Sequence, residues 1–133
     1  MTGEVATVDL GALANDIRRV ADRLRSLSAG RLAAPAPPFG SRAAAGRRAA
    51  QALADAAQGF EESGAAKSPR WRALPALSDF AVGDTVAVTG RDLIVAATGT
   101  RRDQQVWTRA GRRAAADVLF ELDALLADVR RVL

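Results

Sequence analysis

The chain contains no histidine, cysteine or tyrosine. That removes Ser-His and Cys-His nucleophile pairs, imidazole and thiolate metal ligands, a Tyr-Lys pair and the commonest general acid–base group. Carboxylates are what remain for such work. Glu61 and Glu62 are neighbours, and adjacent positions on a helix diverge in direction. Glu121 and Asp128 stand seven residues apart and can share a helix face, but no imidazole accompanies them to complete a metal site. Two glycine-bearing stretches, Val82-Gly83-Asp84 and Thr89-Gly90-Arg91, match neither a Walker loop nor a dinucleotide fingerprint. The expectation is a non-enzymatic protein with no cofactor and no metal.

Arginine is the residue type left to argue from. Lys67 is the sole lysine, and the formal net charge is +4. A guanidinium fork suits phosphate and carboxylate better than a point charge does. Arg101, Arg102, Arg109, Arg112 and Arg113 surround Trp107, and basic residues interleaved with an aromatic suit single-stranded nucleic acid. The alternative places Trp107 at the top of the core, with the arginines solvated around it. Arg42, Arg47 and Arg48 form a second cluster. The candidate anion- or partner-binding residues are Arg42, Arg47, Arg48, Arg101, Arg102, Arg109, Arg113 and Trp107.

Whether these residues meet depends on the helices that carry them. Hydrophobic residues make up 49% of the 133 positions and aromatics 5%. Alanine supplies nearly half of the apolar content, which predicts closely spaced helices with modest buried area. Leu10, Leu13, Ile17, Val20, Leu24 and Leu27 repeat at intervals of three and four, a heptad seam. Asp9 is positioned to cap that helix and Gly30 to end it. Pro35, Pro37 and Pro38 forbid a regular helix in the connector that follows. Ser41 opens a second helix, which Ser63 and Gly64 end. Trp71 is expected to lie across the edge of the core.

The segment from Phe80 to Gly99 admits two readings. As a helix, its seam is Phe80, Gly83, Ala87, Gly90, Ile94 and Ala97. As a hairpin, it turns at Thr89 to Asp92, with β-branched strands on either side. A lone hairpin is marginal in water and no third strand is evident, so helix is preferred. Read as strand, VGDTVAVTG is similar to an entry strand of small RNA-binding β-barrels, which would need several more strands. Thr100 and Asp103 resemble a capping box. Beyond them Val118, Leu122, Leu125, Val129 and Val132 form the clearest part of a long last helix.

The expected fold is therefore all-α, an antiparallel up-down four-helix bundle in a single domain spanning 1–133. An α+β fold with a hairpin at 82–98 is the alternative. The helices are predicted over 9–29, 42–62, 79–98 and 101–132, with linkers 30–41 and 63–78. Alternating directions would gather both arginine clusters at one pole. Two helix N-termini there would add an anion site, and local pairing with Asp22, Asp92 and Asp103 is the alternative. The opposite pole would be acidic, with Glu4, Asp9, Asp55, Glu61 and Glu62 among its residues.

Val8 to Leu27 resembles the first helix of the small helical-hairpin proteins of type VII secretion. The Trp-X-Gly turn and the tyrosine signal of that family are absent from this sequence. The resemblance implies a helical partner-binding protein and transfers no functional residue. The start of the chain is acidic and not apolar enough for a signal peptide, and no stretch reaches transmembrane length. Together these readings predict a cytoplasmic, self-associating protein-interaction module. Its partner is a protein or a second copy, not a membrane. The alternative is an accessory protein that binds nucleic acid or another polyanion through the arginine pole.

Overall fold

The computed structural model describes residues 6–133. Met1 to Val5, which include Glu4 of the expected acidic pole, lie outside the described residues. The elements run α1 (Gly11–Ser26), α2 (Ala29–Ala33), α3 (Arg42–Glu61), α4 (Val82–Ala97), β1 (Gln105–Thr108), β2 (Gly111–Ala114) and α5 (Ala115–Val132). A 3-10 turn, Asp79–Ala81, leads into α4. The chain is mostly helical but not all-α.

The first helix follows its heptad. Leu13, Ile17, Val20 and Leu24 are buried, while Arg18, Arg19 and Arg25 are exposed. It ends a turn earlier than expected. The Ser26 hydroxyl donates to the Arg23 carbonyl at 2.7 Å, Leu27 turns extended, and Ser28 caps α2 by accepting from the Arg31 amide. Gly30 therefore sits inside α2 rather than stopping α1. Asp9 does not occupy the N-cap, which is Leu10. Its carboxylate instead accepts from the Gly11 amide at 3.0 Å.

Ser41 caps α3, accepting from the Ala44 amide at 3.0 Å. The proline connector before it folds back through a bridge between Pro35 and Ser41, and Gly40 supplies the left-handed backbone that this turn needs (φ +97°). Buried alanines and Gly46 leave α3 a thin face, so neighbours approach closely. A side chain on Gly46 would meet Leu24 and Val82 at 2.9 Å.

Residues 82–97 are helix, not hairpin. The buried face is rolled from the expected seam. Val82, Val86 and Leu93 join Gly83, Gly90 and Ala97 inside, whereas Phe80 is exposed and Ala87 and Ile94 are half-buried. The two glycines set this roll. Gly83 lies against the Ala21 carbonyl and Arg25, and Gly90 lies against Ile17. Thr89, buried on the same side, donates to the Thr85 carbonyl at 2.8 Å, so its hydroxyl is not left unpaired.

The hairpin weighed for 82–98 exists, but at 105–114, inside the predicted last helix. Gln105 pairs with Ala114 and Thr108 with Gly111, antiparallel. Val106, Trp107 and Thr108 favour strand, and Gly111 adopts φ +109°, which an α-helix does not contain. A two-stranded sheet needs a surface to lean on. Here β1 packs on α3, with Val106 fully buried. The expected capping box at Thr100 and Asp103 does not form. Instead, the Ala115 and Ala116 amides donate to the Gln104 and Arg102 carbonyls at 2.8 and 2.9 Å, which serves the first turn of α5.

Helix direction departs from up-down-up-down. After a turn at 62–64 the chain runs back along α3 without helix or strand as far as residue 78. The Gln58 amide donates to the Arg70 carbonyl at 2.8 Å and the Gln51 amide to the Arg72 carbonyl at 3.1 Å. The Leu74 amide donates to the Gln51 side-chain oxygen at 2.9 Å. Arg47 then reaches the Leu77 carbonyl and Asp79 at 3.0 and 2.6 Å. Consequently α4 starts beside the start of α3, and the two helices are parallel neighbours. Helix α5 returns beside α1 in the same direction as α1, with Asp16 near Arg130 and Arg23 donating to the Leu133 carbonyl. The order is up, down, down, up, with the core between the four long helices.

Candidate functional site

Because α3 and α4 are parallel, the two arginine clusters do not share a pole. Arg42 and Arg47 lie at the start of α3. Arg101 and Arg102 lie at the far end, bridged to Thr7 and to the Ala6 carbonyl. A helix as long as α3 holds these ends roughly 30 Å apart. The expected basic pole is corrected accordingly. The physical reason is the return of 62–78 along α3, which reverses α4.

Most of these arginines are already engaged. Arg42 donates to the Val132 carbonyl at 3.1 Å and to the Arg31 carbonyl at 3.3 Å. It thereby serves the open C-terminal carbonyls of α5, where a cation is favoured. Arg47 is tied to Asp79, and Arg101 pairs with Asp103 at 3.3 Å. Trp107 is half-buried, and its indole N–H donates to the Ala65 carbonyl at 3.1 Å. The Arg112 guanidinium covers its ring at 4.2 Å and is itself fixed by the Ser63 and Ala65 carbonyls at 2.9 and 2.6 Å. One face of the expected stacking platform is thus occupied by the protein's own arginine.

Four of the named residues do converge. Arg48, Arg109, Arg113 and Trp107 line a groove of about 380 Å³ between α3, the hairpin, α5 and the return segment. Its apolar lining comes from Ala52 and Ala56 of α3 and from Val118, Leu122 and Leu125 of α5. Trp71 of the return segment and Trp107 of β1 also line it. Arg109, in the hairpin turn, grips Asp55 with two hydrogen bonds of 2.7 and 3.0 Å and lies over the Trp71 ring at 5.4 Å. The hydrogen bonds that Arg109 donates to Asp55 push its guanidinium further above its ordinary value. Arg113 pairs with Glu121 at 2.5 Å. That hydrogen bond holds the Glu121 carboxyl below the usual carboxylate range.

Arg48 is different. It is exposed, it lines this groove and a second one of about 400 Å³ on the other side, against Leu74 to Ser78. Among the described residues no carboxylate lies within ion-pair distance of it. The wall of the first groove therefore has two closed ion pairs, one open guanidinium and an apolar floor. Asp55, expected at the acidic pole, and Glu121 are here the counter-charges of the groove, a role sequence reasoning missed. A pairing between α3 and a hairpin turn 54 residues away leaves no local signature.

Among the described residues no group of three or more carboxylates, histidines or cysteines is placed to hold a metal ion. Among the described residues no buried side-chain nitrogen or oxygen lacks a hydrogen-bond partner. No helix of the described residues is long and apolar enough to cross a membrane. Comparison of the chain with family models, with curated proteins and with solved structures finds no match.

Proposed function

We propose that this chain is a non-enzymatic protein-interaction module that acts in the cytoplasm and takes an acidic, apolar segment of a partner protein into the groove between α3, α5 and the hairpin. The observation that carries this reading is Arg48. Among the described residues it has no carboxylate partner, and it stands beside an apolar floor in a groove whose other two arginines are neutralised by Asp55 and Glu121. A bound carboxylate would meet Arg48 while its apolar neighbours cover Val118, Leu122 and Leu125. The lack of histidine, cysteine and tyrosine supports a non-enzymatic role, as does the partner-binding class implied by the resemblance of α1. The polyanion alternative keeps less support, because its arginines divide between two ends of the molecule.

The two tryptophans of the chain both line the groove, so intrinsic fluorescence reports its occupancy. Titration with an acidic amphipathic peptide should shift the emission saturably, and Arg48→Glu should weaken binding about tenfold or more. A basic peptide of the same apolar pattern should give no shift. Equal responses to both peptides, or tighter binding of a single-stranded oligonucleotide than of the acidic peptide, would sink the reading.

A further inference from the structure

The outer face of α4 and the 3-10 turn before it leave large apolar side chains in water. Phe80, Val88 and Val95 are 67%, 60% and 69% exposed. Val88 and Val95 stand seven residues apart on α4, so the helical repeat places both on one stripe; Phe80 stands in the 3-10 turn that leads into the helix, at its N-terminal end. Asp84 falls on the stripe between Phe80 and Val88, and Arg91 falls between Val88 and Val95; both are exposed. The order along the turn and the helix is apolar, acid, apolar, base, apolar.

That order is its own complement when reversed. We propose that α4 pairs antiparallel with α4 of a second copy, about a two-fold axis at Val88. Val88 then meets its own symmetry mate, Phe80 meets Val95 of the other copy, and Asp84 meets Arg91 of the other copy, twice. A parallel pairing would instead set Asp84 against Asp84 and Arg91 against Arg91. The charges needed are available. Arg91 has no acidic partner among the described residues. Asp84 holds Arg25 through Oδ1 at 2.7 Å, and no hydrogen bond engages its Oδ2. A contact of this kind, in which the same patch serves both copies, closes as a dimer and does not propagate. One helix face is a small interface, so association belongs in the micromolar range.

This proposal deepens the reading of a self-associating interaction module. It uses a helix that lines no part of the groove between α3 and α5, so either can fail alone. The test is the mass of the full chain in solution from micromolar to millimolar concentration. The wild type should pass from monomer to dimer. Val88→Glu should stay monomeric with unchanged helix content and unchanged peptide binding in the groove. Asp84→Arg alone and Arg91→Asp alone should each weaken dimerisation about tenfold or more, because each sets like charges face to face. An equimolar mixture of these two variants should dimerise at least as well as the wild type, since every charged position then meets its opposite. A wild type that stays monomeric throughout overturns the proposal. So does a dimer that survives Val88→Glu, or a mixture that associates no better than its components.

Discussion

Gly59 and Trp107 touch backbone to backbone: a methyl group built on Gly59 would fall inside the van der Waals shell of the Trp107 carbonyl oxygen. This contact lets β1 lie flat on α3 and carries the hairpin turn, with Arg109, to Asp55 one helical turn earlier. A backbone carbonyl in a paired strand cannot swing aside as a side-chain tip can. Gly59→Ala should therefore destabilise the fold by about 3 kcal/mol, the upper end of the overpacking range. Gly30→Ala provides the contrast. Nothing lies within 4 Å of a side chain there, and the position is helical, so the change should stabilise by about 0.5–1 kcal/mol. Chemical denaturation of both variants checks the pair; equal effects would remove the contact from the account.

The α1–α4 crossing rests on Gly90 against Ile17. A side chain on Gly90 would collide with the Ile17 γ-methyl group, and Ile17 is itself buried. Ile17→Ala should cost about 2–5 kcal/mol as a core truncation. Gly90→Ala alone should also destabilise, by about 1–3 kcal/mol. In the double variant the new methyl enters space that Ile17 vacated, so the two costs should not add. A coupling of at least about 1 kcal/mol in a double-mutant cycle is expected. Additive costs would show that the helices meet elsewhere.

What the sequence made legible was periodic. Leu13, Ile17, Val20 and Leu24 repeat as branched or large apolar residues, and so do Val118, Leu122 and Val129, so most of both faces could be read in advance; of the expected last seam Leu125 and Val132 are only half-buried, and Leu126 is buried beside them. Helix α4 was legible as an element, and Gly83, Gly90 and Ala97 of its expected seam are buried, but its full roll was not legible: Val82, Val86 and Leu93 are buried where Phe80, Ala87 and Ile94 were expected. The hairpin was hidden because its strands are four residues long and its stability comes from docking on Gly59. Helix direction was hidden for a similar reason. It depends on two glutamine side chains gripping a distant backbone, and such bonds follow no spacing rule. The site inherits both gaps. Trp107, Arg109 and Arg113 were named from their clustering, yet they gather around Arg48 only because the hairpin folds.

Gln58 tests the return segment directly. It is buried on α3, and its amide supplies a hydrogen bond to the Arg70 carbonyl. Gln58→Leu keeps the bulk and leaves that carbonyl unpaired, which should cost about 1–3 kcal/mol. The loss should be local. Proteolysis within 63–78 should accelerate more than global unfolding does, and the fluorescence of Trp71 should shift toward that of a solvated indole. Unchanged cleavage of that segment would show that Gln51, Arg47 and packing hold it without Gln58.

Asp16 of α1 and Asp123 of α5 give the fold a pH dependence of their own. The two carboxyls meet across the contact between parallel helices, and the hydrogen bond with Asp16 pushes the Asp123 carboxyl above the usual carboxylate range. Arg19 and Arg130 pair with Asp16 at 3.8 and 3.7 Å, and among the described residues no arginine pairs with Asp123. A carboxyl raised by folding favours the protonated native state. Its contribution is complete below the ordinary carboxylate value and is lost as pH rises through the raised one. Glu121, held low by Arg113, behaves in the opposite sense: its contribution is present at neutral pH and fades on acidification. Asp123→Asn removes the repulsion at any pH. The melting temperature should therefore rise by about 1–3 °C near pH 7, a small shift because the site is exposed and screened. The gain over wild type should shrink toward zero near pH 4, where Asp123 itself carries a proton. Glu121→Gln should lower the melting temperature near pH 7 and converge with wild type in acid. An Asp123→Asn gain that is the same at both pH values would show that titration of Asp123 is not its source, and that packing of the amide alone accounts for the change.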